Sequence, residues 1–295
     1  MKKDIKGIIA SAAMSVAIGL QFIFIKKTLN AFGGNIVNFM FARFALAILT
    51  LPLILPKNIK ALLSDMRLGG LCLILPCANL LLQTAGTMAC EVATVGYVSS
   101  LGPVITLAAS AVINKEKLTA PNVIGMVCAF GGALLIGFGK ENPGASFGWG
   151  ALLILLALVA RSLYSSLKAK GPFEYSAKEI TFAQIFWGAA FYFILFVFFG
   201  NKTAFIDSLS LFKIRDTLSL LYTGLISLTL VYLLNNYSLS KISVALSGVA
   251  SNLTFVVTVA SGVAFLGEKI SGLSVAGSIV IIIGVSVAAI SPKAQ

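Results

Sequence analysis

Ten apolar runs divide this chain, and charged residues collect in the short stretches between them. The runs cover 7–25, 36–55, 68–89, 92–113, 120–139, 148–167, 180–200, 217–238, 243–266 and 272–290. Each approaches the roughly twenty largely apolar residues with which a helix crosses a bilayer. Helix-breaking residues punctuate the connectors, at Gly33-Gly34, Pro56, Asn142-Pro143-Gly144, Gly171-Pro172 and Gly200-Asn201. Thr119 and Ser271 stand at matching places just before runs five and ten, where an N-cap belongs. The pattern predicts an all-α integral membrane protein with ten transmembrane helices.

The runs repeat. Residues 92–132 align without a gap on 244–284 at an offset of 152, pairing Val92 with Val244, Gly96 with Gly248, Thr106 with Thr258, Glu116 with Glu268, Gly125 with Gly277 and Gly132 with Gly284. Gly7 with Gly150 and Lys27 with Lys170 extend the likeness at an offset of 143. Duplicated helices of this kind mark transporters built from two related halves. Helices one to five (residues 1–140) form the first repeat and helices six to ten (141–295) the second. Five is odd, so the second half enters the membrane upside down, which gives two inverted-topology five-helix repeats.

Composition agrees with a lipid environment. The 295 residues are 58% hydrophobic and 11% charged, with a mean hydropathy of +0.99. The net charge of +12 would ordinarily raise nucleic-acid binding. Here the cations lie in clusters between apolar runs, so topology explains them better, and no nucleic-acid partner is expected. With the N-terminus inside, thirteen Lys and Arg fall on the cytoplasmic side and seven outside, while Arg43 and Arg161 lie within runs. Both termini are therefore expected in the cytoplasm. The basic start and following apolar stretch resemble a signal peptide, yet the stretch continues to Lys26-Lys27 and reads as an uncleaved first helix. Cys72, Cys77, Cys90 and Cys128 form no C-x-x-C pair and read as small buried hydrophobes. The absence of histidine removes His-ligated metals, His proton relays and His-based triads. No metal or cofactor is expected.

The ends of the two repeats carry a family resemblance. Each is a small-residue helix, a turn of the form G-E-x-[LI]-[ST] and a glycine-rich helix. The second copy supplies Gly267, Glu268, Ile270 and Ser271, while the first departs with Lys115 in place of the glycine. With Ile25-Lys26 and Arg43-Phe44, these segments resemble the drug/metabolite transporter superfamily in its ten-helix EamA-type branch. The resemblance implies transport of a small metabolite, and its bacterial members imply an exporter of the inner (plasma) membrane. Smaller relatives carry a proton-binding carboxylate in helix one, and this chain has none there.

Polar residues near mid-span are the candidate substrate path. An unpaired polar group in hydrocarbon costs on the order of 2–7 kcal/mol, so such residues face protein or a water-filled cavity. Run four holds Ser99, Ser100 and Pro103; the proline leaves the Ser99 carbonyl without its helical donor. The matching stretch of run nine has Asn252 and no proline. Asn79 and Gln83 share one face of run three; Tyr232 and Asn235 share one face of run eight, with Asn236 adjacent. Gln21 and Trp187 complete the set. Interhelical hydrogen bonding is the competing role for each. Arg161, with Tyr164 one turn below, either snorkels to the cytoplasmic interface or faces the cavity, where a guanidinium suits a carboxylate or phosphate. For Arg43, part of the Arg43-Phe44 pair, the family resemblance implies a structural or gating role. Glu116 and Glu268 read as partners of the helix N-termini that follow them. The 21 phenylalanines read mostly as lipid-facing filler.

The resulting expectation is a non-enzymatic transporter of an amino acid or related amphipathic solute, working by alternating access. A lipid-intermediate flippase is the alternative. An integral-membrane enzyme would need histidines, paired acids or a nucleophile with its base. A monomer is expected, with a homodimer as the other arrangement.

Overall fold

The structure, a computed structural model, describes residues 5–113, 115, 119–138, 148–170, 175–242, 244–268 and 270–290; the side chains of 133–134, 136–138, 169–170, 244–252, 285 and 288–290 lie outside that description. Among the described residues every regular element is helical. Helices occupy each of the ten runs: α1 (Ile5–Ala31), α2 (Ile36–Ile48), α3 (Met66–Ala89), α4 (Val92–Ile113), α5 (Ala120–Phe138), α6 (Trp149–Lys170), α7 (Ala177–Phe199), α8 (Ile214–Lys241), α9 (Val244–Leu266) and α10 (Gly272–Ile290). Six of them, α1, α3, α4, α6, α7 and α8, are long and apolar enough to cross a membrane; α2, α5, α9 and α10 carry shorter apolar stretches. Two short helices, Ile59–Ser64 and Lys202–Leu211, fill connectors that the apolar pattern leaves blank. Asn58 and Asn201 start them by accepting the backbone N–H of Ala61 and Ala204.

Prolines decide where the long helices depart from regularity. Pro52 has no N–H to give the carbonyl of Ile48, and α2 ends at Ile48 rather than near residue 55. Pro103 acts in the same way on Ser99: α4 stops there and restarts at Gly102. Pro76 sits inside a wide π-helical segment of α3, Leu73–Asn79. The corresponding part of α8, Tyr222–Leu230, is also π-helical but contains no proline.

The helices pack in a pattern that survives exchange of the halves. α1 lies on α8 and α9, as α6 lies on α3 and α4; α2 touches α7 and α8, as α7 touches α2 and α3. Three pairs join equivalent helices, and their contacts run antiparallel. Between α2 and α7, Phe41 stacks on Phe196 at 4.1 Å and Phe44 on Tyr192 at 4.9 Å. Between α4 and α9, Tyr97 meets Phe255 while Gly96 faces Thr258. Between α5 and α10, a β-carbon on Gly132 would lie 2.5 Å from the Gly277 carbonyl oxygen, and one on Gly284 2.7 Å from that of Gly125. Lipid gives apolar helices little reason to associate, so such close backbone approach holds them together. The phenylalanines divide accordingly. Phe22, Phe39 and Phe44 are fully buried, whereas Phe130, Phe198, Phe199 and Phe265 are exposed on the outer surface.

The acidic turn of the second repeat serves a different helix from the one expected. Glu268 accepts the first two amides of α4, from Val92 at 2.8 Å and Ala93 at 2.7 Å. It therefore ties the end of the second repeat to the middle of the first. Gly267 makes this possible with φ +67°, which turns the chain back, and Ser271 caps α10 in its place by accepting the Ser274 N–H at 3.1 Å. Thr119 instead donates both its N–H and its hydroxyl to Asn122 Oδ1. Lys115, at the position equivalent to Gly267, takes the same left-handed conformation with φ +56°. Glu116 lies outside the described residues.

Three outcomes follow in thermal unfolding of the detergent-solubilised protein. Gly132→Ala lowers stability by about 1–3 kcal/mol, whereas Gly131→Ala, which has open space, does not. Glu268→Ala orphans two buried-edge amides and costs about 1–3 kcal/mol, with faster hydrogen exchange at Val92 and Ala93. Lys115→Gly relieves a side chain from the left-handed region and raises stability by about 1 kcal/mol.

Candidate functional site

Widened π-helical turns leave backbone carbonyls without regular partners, and such segments recur at functional sites. In α3 and α8 carbonyls of these segments accept side chains from the other half. The Tyr192 hydroxyl on α7 donates to the carbonyls of Pro76 at 3.2 Å and Cys77 at 2.7 Å. Arg43 on α2 donates Nε–H to the Thr223 carbonyl at 2.8 Å and Nη2–H to Ser227 Oγ at 2.7 Å. The Ser227 hydroxyl in turn donates to Gln21 Oε1 on α1. Arg43 is wholly buried, with its guanidinium 6.0 Å from the Phe39 ring centre. Gly188 and Gly224 make room for this contact: a methyl on either would strike α2, at Phe44 and at Leu46 respectively.

A fully paired polar layer crosses α6, α7 and α8. Gln184 Nε2 donates to the Tyr164 hydroxyl at 2.9 Å. Asn236 Nδ2 donates to Gln184 Oε1 at 3.0 Å and to Thr181 Oγ1 at 3.1 Å. Lys168 closes the layer by donating to Asn236 Oδ1 at 2.8 Å. Every polar atom that the three helices bring here, at Tyr164, Gln184 and Asn236, has a protein partner.

One turn along the same helices, the pairing stops. By sequence spacing the next turn of each helix carries Arg161 on α6, Trp187 on α7 and Tyr232 on α8, with Trp187 Nε1 turned toward Gly69 of α3, 3.8 Å from where a β-carbon there would lie. The Tyr232 hydroxyl and Trp187 Nε1 are buried with no hydrogen-bond partner, and so is the remaining nitrogen of Arg43, Nη1. Tyr232 is 7% exposed. The charges of Arg43 and Arg161 both act on its hydroxyl, and Tyr164, Tyr192, Cys72 and Cys77 lie within electrostatic range of it. Tyr232 is thus the point on which α2, α3, α6, α7 and α8 converge. Among the described residues no carboxylate pairs with either guanidinium, and that of Arg161 makes no hydrogen bond. The layer offers donors and positive charge with nothing to accept them.

The other residues singled out from the sequence are scattered by the fold. Asn79 is buried and donates to the Ala157 carbonyl at 2.6 Å, on the turn of α6 that precedes Arg161. Gln83, a turn further along α3, is buried with Oε1 unpaired. The Ser100 hydroxyl donates to the carbonyl of Tyr97, while Ser99 is half-buried beside the break that Pro103 creates. Asn235 is half-buried and makes no side-chain bond among the described residues; its neighbour Asn236 enters the layer instead. The Asn252 side chain lies outside the described residues. Gln184, Thr181, Lys168 and Tyr192 were not singled out. Spacing contained part of the information, since Asn236 follows Tyr232 by four and Gln184 follows Thr181 by three.

Comparison with known proteins fits this architecture. The EamA-like transporter family matches the chain twice, over residues 5–138 and 148–290. A Bacillus subtilis (strain 168) protein described as "Uncharacterized transporter YcxC" is 26% identical over 292 residues, spanning 94% of this chain and 90% of that one. A solved crystal structure superposes with a TM-score of 0.60 at 16% identity, over 94% of this chain and 96% of its own, which is a likeness of fold. Two matches that together cover nearly all of an all-helical, lipid-compatible chain place it: this protein belongs to the EamA-like transporter family and is a multi-pass membrane protein.

Proposed function

We propose that the protein exports a small amphipathic metabolite, an amino acid or related solute, across the inner membrane by alternating access. The observation that carries this reading is the unpaired polar layer at Tyr232, held between two exchangeable halves. Such a layer is costly in a bundle that does nothing but span, because each orphaned group forfeits its desolvation energy. It repays that cost when a solute supplies the missing partners.

The reading includes ten membrane spans, arranged as two inverted five-helix repeats over residues 1–140 and 141–295. The antiparallel contacts of α2 with α7, α4 with α9 and α5 with α10 support it, since equivalent helices of inverted halves run in opposite directions. Cation placement supports cytoplasmic termini. On that orientation Glu268 closes the outer side by holding α4, and the Lys168 layer closes the inner side. Export then alternates between loosening the two. The break in α4 at Ser100–Leu101, absent from α9, supplies a hinge on one half only.

Two measurements test the reading. Cells overexpressing the protein are expected to survive toxic analogues of the exported solute, and the purified protein in liposomes is expected to move that solute unaltered. A protein that moves only a lipid-linked compound is a flippase and refutes the proposal. Tags at both chain ends should be reachable only from the cytoplasmic side; termini on opposite faces refute the inverted pair.

A further inference from the structure

We propose that the layer formed by Arg161, Tyr232 and Trp187, with the free Nη1 of Arg43, binds the oxyanion of the transported solute, a carboxylate or a phosphate monoester. The inference rests on the transport reading and adds the chemical class of its cargo.

Three features carry it. First, each unpaired atom of this set can donate, and two can only donate: an indole N–H and a guanidinium nitrogen beside a phenol hydroxyl. A solute bearing ammonium groups or other donors alone would leave them orphaned. Second, two guanidinium groups act on one hydroxyl, and among the described residues neither has a carboxylate partner. A buried charge without a counterion is strongly unfavourable, and an incoming anion would relieve it. Third, the adjoining layer is complete. Each side-chain polar atom of Tyr164, Gln184 and Asn236 there already has a protein partner, Lys168 supplying one of them. On α7 and α8 the buried atoms left without a partner, Trp187 Nε1 and the Tyr232 hydroxyl, therefore lie outside that layer among the described residues.

The two arginines divide the work. Arg43 spends Nε and Nη2 on α8 and keeps one nitrogen, so it is fixed in place and contributes charge. The Arg161 guanidinium is free of side-chain bonds and half-buried, so both of its terminal nitrogens are available for planar, bidentate capture of an oxyanion. The Phe44–Tyr192 stack on α2 and α7 and the Phe186–Trp187 pair on α7 offer aromatic surface on the helices that converge here, which suits the apolar part of an amphipathic anion.

Binding to the purified full chain tests the proposal. The chain has two tryptophans, so a Trp149→Phe background reports on Trp187 alone. The probes are phenylacetate and phenyl phosphate, with phenylacetamide and phenethylamine as neutral and cationic counterparts. Either anion is expected to change Trp187 fluorescence and raise the unfolding temperature, and the stronger of the two names the headgroup. Arg161→Gln should weaken the anion by about tenfold or more, Arg161→Lys should retain part of the affinity, and Tyr232→Phe should weaken it less than Arg161→Gln. The unfolding temperature without ligand shows that each variant is folded. Equal responses to the amide or amine, no response to either anion, or undiminished affinity in Arg161→Gln overturns the proposal. A solute without a negative group that the liposomes do transport also overturns it while leaving the transport reading intact. An anion bound through Arg161 but never carried across refutes transport alone.

Discussion

A guanidinium with no exposure holds the centre of this bundle, and the arrangement around it follows from how that charge is satisfied. Arg43 reaches across from α2 to the π-helical part of α8, where a widened turn presents the Thr223 carbonyl. In α3 the parallel opening contains Pro76, which has no N–H to give the helical ladder, and Tyr192 of α7 donates to the carbonyls of Pro76 and Cys77. In α8 no proline intervenes. There the arginine itself takes the place of the missing constraint, since a charged donor bonded to a main-chain oxygen outweighs an ordinary helical bond. Each irregular helix is thus completed by a side chain from the other half. Inside a bilayer nothing else is at hand to complete it. Neither half can move far as a rigid body without breaking or carrying these bonds, which tie α2 to α8 and α7 to α3.

Exchange of the halves maps helix onto helix but not chemistry onto chemistry. Arg43 and Tyr192 fill equivalent places with a cation and a phenol. α4 is broken by Pro103 while α9 runs unbroken, and Lys115 stands in a left-handed turn where the second copy has Gly267. The scaffold keeps the likeness where packing is closest: Gly132 and Gly284 have no room for a β-carbon against the carbonyls of Gly277 and Gly125. The centre differs between the halves, and on the proposed transport reading a solute with two different ends would meet different partners on its two sides. The surplus of donors over acceptors in the Tyr232 layer is an expression of that divergence.

Much of the helical scaffold was legible in the sequence for a simple reason. Runs of about twenty apolar residues are demanded by bilayer thickness, and the repeat at an offset of 152 shows its own boundaries. Proline positions located the break in α4, although the early end of α2 at Ile48 needed Pro52 to be read four residues backwards. The short helix Lys202–Leu211 escaped because it is not apolar enough to register as a run. Its burial comes from Phe205, which stacks on Phe32 at 5.7 Å and meets Phe196 edge-on. Glu268 was assigned to the nearest helix N-terminus in sequence. The nearest one in space belongs to α4, a distinction that depends on a single positive φ at Gly267.

The centre was legible only in part, and the limit is physical. Residue type and depth identify which side chains must find partners, and on that basis Gln21, Asn79, Tyr164, Trp187, Tyr232 and Arg161 stand out equally. Whether a partner exists depends on register between helices far apart in the chain. Asn79 is spent on Ala157, Gln21 on Ser227 and Tyr164 on Gln184, whereas the hydroxyl of Tyr232, buried to a similar degree, and the buried Nε1 of the half-buried Trp187 are left with nothing. The distinction matters because a paired buried group stabilises the closed bundle and an unpaired one does the reverse. A transporter needs both kinds. The paired layer at Lys168 gives the bundle a closed state of definite geometry, and the unpaired turn beside it keeps that state from being so favourable that a solute could not compete. Where the second kind gathers on one turn, with two cations and without acids among the described residues, the bundle is incomplete in a specific way, and what would complete it is an anion.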